Sequence, residues 1–344
     1  MKLSELGEFD LIDLINNGIA RFQNPEHASW QQLVLGSGDD AAAWRSINDI
    51  QLATIDTLVQ DTHFDLNIIT WEELGWKAMS VNLSDIAAMG GIPMYALVSL
   101  SLPKDLQVED VCKLVDSMAY LAAQFGVAVV GGNLTNAPNI IITITIIGCS
   151  TNNTILKRST ASPGEQIVVT GHLGLSMAGL EMLKGRIVSD PEANNALRRG
   201  HLQPLPRIKE GQILVEQGVK TAIDISDGLI ADLEHICESS NVNARIGIEQ
   251  VPVHPIVRAN FPNYQDLTLC GGEDYELLFT ADKDIVTGVK QALDCPVTVI
   301  GEITEEKLSQ RVTVIDSKGN IIHYERKGWE HFKNETSDIK LAQP

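Results

Sequence analysis

Residues 221–240 read TAIDISDGLIADLEHICESS. An apolar run (Thr221, Ala222, Ile223) leads into an acidic turn holding Gly228, and a second apolar run (Leu229, Ile230, Ala231) opens a helical pattern. Strand, tight turn and helix in immediate succession form the unit from which α/β folds are assembled. The same stretch poses a chemical question. Asp224, Ser226 and Asp227 sit between segments that want to be buried, in a chain whose formal net charge is −19. Like charges crowded in low dielectric repel strongly, so something positive is expected to compensate them.

Working outward, the same alternation continues. Leu3, Leu6, Phe9, Ile12, Leu14, Ile15 and Ile19 have helical spacing over residues 3–22. A polar loop precedes VLGSGDDAAAW at 34–44, and QLATIDTLVQ at 51–60 reads as a buried strand. WEELGWKAMSVNLSDIAAMG at 71–90 predicts a helix stopped by Gly90, Gly91 and Pro93. Strands are expected at 94–102, 127–132 and 140–148, with an amphipathic helix at 108–126 ending on Gly126. A second block starts near 150: IVVTG is a strand, SMAGLEMLKGR a helix, and PRIKEGQILVEQG a helix with Pro206 at its start. Strands and a hairpin over RVTVIDSKGNIIHY finish the pattern. A length of 344 residues fits two domains. The expected division is 1–150 and 151–335, in an α/β (α+β) chain, with a polar tail at 336–344.

Composition excludes several classes of function. The 45 acidic against 26 basic residues argue against nucleic acid and anionic lipid, which need Lys and Arg. A small phosphorylated ligand stays open, because divalent cations can supply the missing charge. Five scattered cysteines without a C-x-x-C fit reduced thiols. The N-terminus carries acids among its apolar residues, unlike a signal peptide, and no run is long enough for a membrane helix. A cytoplasmic protein without membrane partners is expected. No P-loop, G-x-G-x-x-G, G-x-S-x-G or H-E-x-x-H occurs.

Five stretches are built alike, namely GDDAA at 38–42, ATIDT at 53–57, VNLSDIAAMGG at 81–91, DISDGL at 224–229 and GGEDYEL at 271–277. In each, carboxylates sit among small residues that let another molecule come close. Hard oxygen ligands on separate turns suit Mg²⁺ carrying substrate phosphates. Taken singly, each has an ordinary explanation: Asp227 is placed to cap a helix starting at Gly228, and Asp85 to lie on a helix face. Five together, with no matching basic runs, favour metal ions that carry nucleotide phosphates.

In this order, GDDAA, IDTLVQDTHF, VNLSDIAAMGG, VVGGN, LKRS followed by ASPGE, VTGHLG, IDISDGL and GGEDYELLF resemble the thiamine-monophosphate kinases, from about residue 4 to KGWEHF at 327–332. That family belongs with aminoimidazole ribonucleotide synthetase, selenophosphate synthetase and a hydrogenase-maturation dehydratase, which use ATP without a P-loop. The resemblance implies two α/β domains, the N-terminal strands forming a barrel across a homodimer. It implies ATP and thiamine phosphate as reactants, several Mg²⁺ ions, and ADP and thiamine diphosphate as products. The family's metal ligands fall on Asp40, Thr54, Asp56, Asp85, Asp224 and Asp227, with Asp39 the less certain neighbour of Asp40. Arg158 and Ser226 match nucleotide-contacting positions, and Gly132 lies in the turn that approaches the nucleotide. His63, Glu273 and Trp329 match substrate-contacting positions.

Asn133 departs from the family, which often has Asp in this GGD turn; an amide oxygen can ligate Mg²⁺ but adds no charge. Leu175 replaces another residue that is often acidic, with no role attached to it. Trp329 could stack on either ring of thiamine. Glu273 could accept from the exocyclic amine or balance the thiazolium cation. Related enzymes fit less well: no cysteine precedes Cys112, as selenophosphate synthesis would need, and the chain ends LAQP rather than in a cysteine motif. A non-catalytic metal- or nucleotide-binding regulator is the remaining alternative, and intact carboxylates in five turns argue against it.

Overall fold

The computed structural model describes residues 2–6, 8–35, 43–45, 50–188, 190–305, 310–322, 324 and 328. The first acidic turn, with Asp39 and Asp40, lies outside the described residues, as do Trp329 and the polar tail.

The strands are β1 (Leu33–Leu35), β2 (Ala43–Trp44), β3 (Gln51–Val59), β4 (Ile92–Leu102), β5 (Ala128–Asn136) and β6 (Ile141–Cys149), then β7 (Gln166–Thr170), β8 (Thr221–Asp224), β9 (Asn243–Gly247), β10 (Leu277–Ala281), β11 (Val297–Thr304), β12 (Val312–Ile315) and β13 (Ile321–Ile322). The helices are α1 (Leu3–Leu6), α2 (Glu8–Ala20), α3 (Ala28–Gln32), α4 (Trp71–Ala88), α5 (Val108–Gln124), α6 (Leu175–Leu183), α7 (Pro191–Leu202), α8 (Ile208–Glu216), α9 (Leu229–Ser240), α10 (Pro255–Asn260), α11 (Tyr264–Leu269) and α12 (Lys283–Ala292).

Two larger sheets organise the chain. A four-stranded sheet has the order β3-β6-β4-β5, and a seven-stranded sheet the order β13-β12-β9-β11-β7-β10-β8. The first is antiparallel except for the parallel β4–β5 pair; the second is antiparallel except for β9–β12. β12 and β13 form the expected hairpin.

β5 runs on to Asn136, past the expected end at 132, and pairs with β4 from Tyr95 to Leu102. Gly132 and Asn133 are therefore strand residues and not a turn. The reason is backbone proximity: a Cβ on Gly132 would lie 1.8 Å from the Val98 carbonyl oxygen, so the glycine lets two strands close up.

α4 sits at the centre. It begins with a capping box, in which Thr70 accepts from the Glu73 amide and Glu73 accepts from the Thr70 amide. Thirteen of its 18 residues are buried, because it packs on α5, α8, the four-stranded sheet and β8. One core cluster joins Leu83 and Ile86 of α4 to Ile144 and Ile146 of β6, Leu214 of α8, and Ala222 and Phe279 of the second sheet. A separate cluster on that sheet's other face joins Ile167, Ile223 and Leu278 to Leu229, Leu233 and Ile236 of α9. Strands covered on both faces read as continuous apolar runs, as IVVT and LLFTA do.

Candidate active site

Strand parity brings the acids together. Leu52 and Leu58 of β3 belong to the core under α4. Side chains alternate with period two, so Thr54 and Asp56 share that inward direction. On β8, Ala222 points into the same core, and Asp224, two residues on, shares its face. Between them runs α4, which meets both strands with polar groups. The Thr54 hydroxyl donates to Asp85 Oδ2. Asn82 Oδ1 accepts from the Asp56 backbone amide at 2.9 Å. Ser84 donates to Asp224 Oδ2 at 2.7 Å. Thr54, Asp56, Asp85 and Asp224 thus converge from three elements far apart in sequence.

Their electrostatics report the crowding. Desolvation first, then repulsion from Asp85 and Asp227, pushes the Asp56 carboxyl up to about 6. Asp85 is raised by burial, against the Thr54 hydrogen bond and the Arg158 charge, which hold it down. Asp224 is pushed up to about 7 by burial and by Asp85. Arg158 is exposed and favours the charged forms of Asp85 and Asp224. Among the described residues, neither of those carboxylates nor that of Asp56 has an ion-pair partner.

Asp227 does not cap α9, as a lone Asp there would be expected to. The N-cap is Gly228, without a side-chain cap bond. Instead Asp232, in the first turn, turns back to accept the amides of Ser226, Asp227 and Gly228 at 3.1, 3.1 and 3.0 Å. The cap is thereby supplied from inside the helix, and Asp227 is left near Asp56, whose ionisation it opposes. Ligand atoms of Asp227, Asp232 and His235 lie within 4.8 Å of one another, a second group able to hold a metal.

The GGEDYEL stretch extends the β8–β10 pairing. Tyr275 donates its amide to Ile225 at 2.9 Å and Glu273 to Ser226 at 2.8 Å, so Ser226, Asp227 and Glu273 form one wall. Glu273 and Tyr275 both have left-handed backbones, φ 65° and 52°. Glu273 receives the Lys77 ammonium at 2.9 Å, and His63 lies near enough to favour its ionised form. The Tyr275 hydroxyl group is raised well above its ordinary pKa by burial and then by Glu273, Asp224, Asp56 and Asp85.

Gly132 and Asn133 are placed elsewhere. β3 and β5 are the opposite edges of the four-stranded sheet, so the two residues stand across β6 and β4 from Thr54 and Asp56. Sequence reading missed Lys77, Asn82, Ser84, His201, Asp232 and Tyr275. The signal for the α4 residues was present: polar side chains in a helix with small or apolar neighbours on every face.

The ligand atoms gathered on Thr54, Asp56, Asp85 and Asp224 are all oxygens: carboxylates and a hydroxyl. Their excess negative charge, mutual repulsion and lack of nitrogen or sulfur fit a hard divalent cation. A polyanion such as a nucleotide could approach them only together with such ions.

Residues 38–150 match the family model of the AIR synthase related protein, N-terminal domain, and residues 162–313 that of the C-terminal domain. The thiamine-monophosphate kinase of Bacillus subtilis strain 168 is 34% identical over 336 residues, covering 95% of this chain and all of that protein. The crystal structure of thiamine-monophosphate kinase from Stenotrophomonas maltophilia K279a superposes with a TM-score of 0.78 at 33% identity, over 90% of this chain and 96% of that one. AaThiL complexed with AMPPCP and TMP superposes with a TM-score of 0.72 at 34% identity, over 96% of this chain and 99% of that one.

Proposed function

The chain belongs to the thiamine-monophosphate kinase family, with its two AIR synthase related domains, and from that premise we propose how its acidic cleft works. The protein is a phosphotransferase that phosphorylates thiamine phosphate at the expense of ATP, giving thiamine diphosphate. The observation that carries the residue-level reading is the convergence of Asp56, Asp85 and Asp224 without an ion-pair partner among the described residues.

Thr54, Asp56, Asp85, Asp224 and Asp227 would hold Mg²⁺ in this cleft, and Asp40 and Asn133 belong to the same proposed set. Bound Mg²⁺ supplies charge neutralisation and a common template for two phosphorylated reactants. The acceptor is a phosphate monoester oxygen, whose second pKa is about 6. It is already ionised near neutrality, so no side chain has to remove a proton. The carboxylates are thus ligands and not bases, and transfer is direct and in line, without a phosphoenzyme. Arg158, exposed at the rim, contacts phosphate; Ser226 and Gly132 complete the nucleotide contacts. His63, Glu273 and Trp329 hold thiamine.

The same reading makes the protein a cytoplasmic homodimer divided near residue 150. No helix among the described residues is long and apolar enough to cross a membrane. The four-stranded sheet has α4 on one face, while Ile55 on the other is 62% exposed, and among the described residues β3 and β5 end it without a further strand. A second copy pairing with those edges would close a barrel and cover Ile55. It would also bring one copy's Asn133 edge toward the other's Asp56 edge.

The test is direct. Purified protein with ATP, Mg²⁺ and thiamine phosphate is expected to yield ADP and thiamine diphosphate in equal amounts by chromatography. ATP binding without diphosphate formation would favour the regulator instead.

A further inference from the structure

Below the substrate wall lies a buried polar group that the reaction does not itself require. Lys77 is 1% exposed, and its ammonium lies 2.9 Å from the Glu273 carboxylate. The same nitrogen lies 3.5 Å from Nε2 of His201, whose side chain is 6% exposed. An ammonium has only donors, so that Nε2 is the acceptor and the neutral ring carries its proton on Nδ1. Nδ1 faces the Ser176 hydroxyl at 3.1 Å and Glu273 Oε2 at 3.4 Å. Burial and then the Lys77 charge push His201 down to about 3, which keeps the ring neutral at working pH.

The geometry has a direction. Lys77 and His201 are closed off inside, while Glu273 keeps 31% of its side chain open. Its backbone is held in the left-handed region, where side chains are uncommon, and is tied to Ser226 by a 2.8 Å hydrogen bond. A buried ammonium must be paired, and Glu273 is its ion-pair partner among the described residues. Two consequences follow for the open side. The carboxylate projects little net negative charge, because a cation already sits against it. Its free lone pairs still accept hydrogen bonds.

We propose that Lys77 and His201 act as positioning residues that fix Glu273 as a charge-balanced hydrogen-bond acceptor, so that the cleft recognises the exocyclic amine of the aminopyrimidine and not the positive charge of the thiazolium. This rests on the reading of the protein as a thiamine-phosphate kinase with Glu273 against its substrate. It resolves the two roles open to Glu273, because a carboxylate already paired with an ammonium has no charge left for a second cation.

The wild-type protein tests it with two analogues of thiamine phosphate. One carries oxygen in place of the exocyclic amine; the other has an uncharged ring in place of the thiazolium. A site built around a donor rejects its loss strongly, so kcat/KM should fall at least about 100-fold for the oxo analogue and less than about 10-fold for the neutral-ring analogue. The reverse order would overturn the proposal. Lys77→Met should raise KM for thiamine phosphate at least about 30-fold, with kcat and the ATP KM within about 3-fold. Adding Glu273→Gln should recover much of that loss, since an uncharged amide oxygen accepts without a counter-ion. An unchanged KM in a folded Lys77→Met protein, or no recovery in the double variant, would also overturn it. If Lys77→Met fails to fold, the analogue pair decides alone. Failure of the wild type to make thiamine diphosphate at all would overturn the underlying reading of the reaction, a distinct result.

Discussion

Replacing Asp224 by Asn should stabilise the metal-free protein at alkaline pH and leave it nearly unchanged in mild acid. Asp224 is 2% exposed and its carboxyl is pushed up to about 7 by burial and by Asp85. In the unfolded chain it titrates at about 3.9. The folded state thus keeps a proton that the unfolded chain releases between about pH 4 and about pH 7. For a carboxyl raised on folding, stability is fully present below the unfolded pKa and is lost as pH climbs to the folded value. About three units at about 1.36 kcal/mol each set an upper bound of roughly 4 kcal/mol, and relaxation of the cleft should leave roughly 2–3 kcal/mol. Asn keeps an acceptor for the Ser84 hydroxyl, so the 2.7 Å hydrogen bond survives while the charge goes. Urea unfolding in EDTA at about pH 4.5, 6 and 8 measures the difference. The variant should lie within about 1 kcal/mol of wild type near pH 4.5 and exceed it by roughly 2–3 kcal/mol near pH 8. Excess Mg²⁺ should then close most of the gap, because saturation to about 100 times Kd stabilises wild type by about 2.7 kcal/mol and the variant by less. An Asp224→Asn protein no more stable than wild type near pH 8 in EDTA, or a gain independent of pH, would refute the picture of a charge stranded for a cation.

Three further substitutions probe other parts of the argument. Asp56→Asn should lower kcat at least about 100-fold while shifting Tm by less than about 3 °C, as the loss of a cation ligand would; near-full steady-state turnover would remove Asp56 from the ligand set. Gly132→Ala places a methyl group 1.8 Å from the Val98 carbonyl oxygen and should cost at least about 2 kcal/mol by denaturant unfolding. Normal stability would refute the close approach of β4 and β5 at this glycine. Arg207→Met strands Glu276, which is buried and bound by the guanidinium at 2.7 and 2.5 Å, at a cost of about 3–5 kcal/mol. A loss below about 1 kcal/mol by urea unfolding would mean that Thr170, which donates to the same carboxylate at 2.7 Å, is sufficient.

What could be read from sequence and what could not divides along a physical line. Local pattern found the strand at 51–60, the helix at 71–90 and the strand–turn–helix at 221–240 because each is decided by neighbours in the chain. The strand order β13-β12-β9-β11-β7-β10-β8 was out of reach, since it is set by pairings between residues tens of positions apart. The extension of β5 through Gly132 and Asn133 was missed for a related reason. Two glycines followed by an amide read locally as a turn, and only the presence of β4 alongside makes them strand. Asp224 and Asp227 were recognisable as an acidic pair, but the cap supplied from Asp232, five positions after Asp227, belongs to a helix turning back on its own entry. Local propensity favours the nearer residue.

The deeper reason lies in α4. Helical spacing alone does not say what its polar residues meet. Thirteen of its 18 residues are buried, and so each buried polar group must be satisfied by the protein around it. Asn82 is taken by the backbone of β3, Ser84 by Asp224 of β8, and Lys77 by Glu273. Ser80 and Trp76 both donate to the Pro204 carbonyl at 2.8 Å. These partners belong to four different segments, and three of the contacts end on or beside the acidic cleft. A hydrophobic helix would have packed there with less risk, because each buried polar group is costly once its partner is removed. The cost is tolerated because α4 touches both sheets where the carboxylates gather. Any shift of one sheet against the other breaks a hydrogen bond of α4, which couples the spacing between Asp56, Asp85 and Asp224 to the integrity of the core. A site that has to hold mutually repelling groups in register before its cations arrive needs such a strut, and apolar packing, which has no preferred direction, could not supply it.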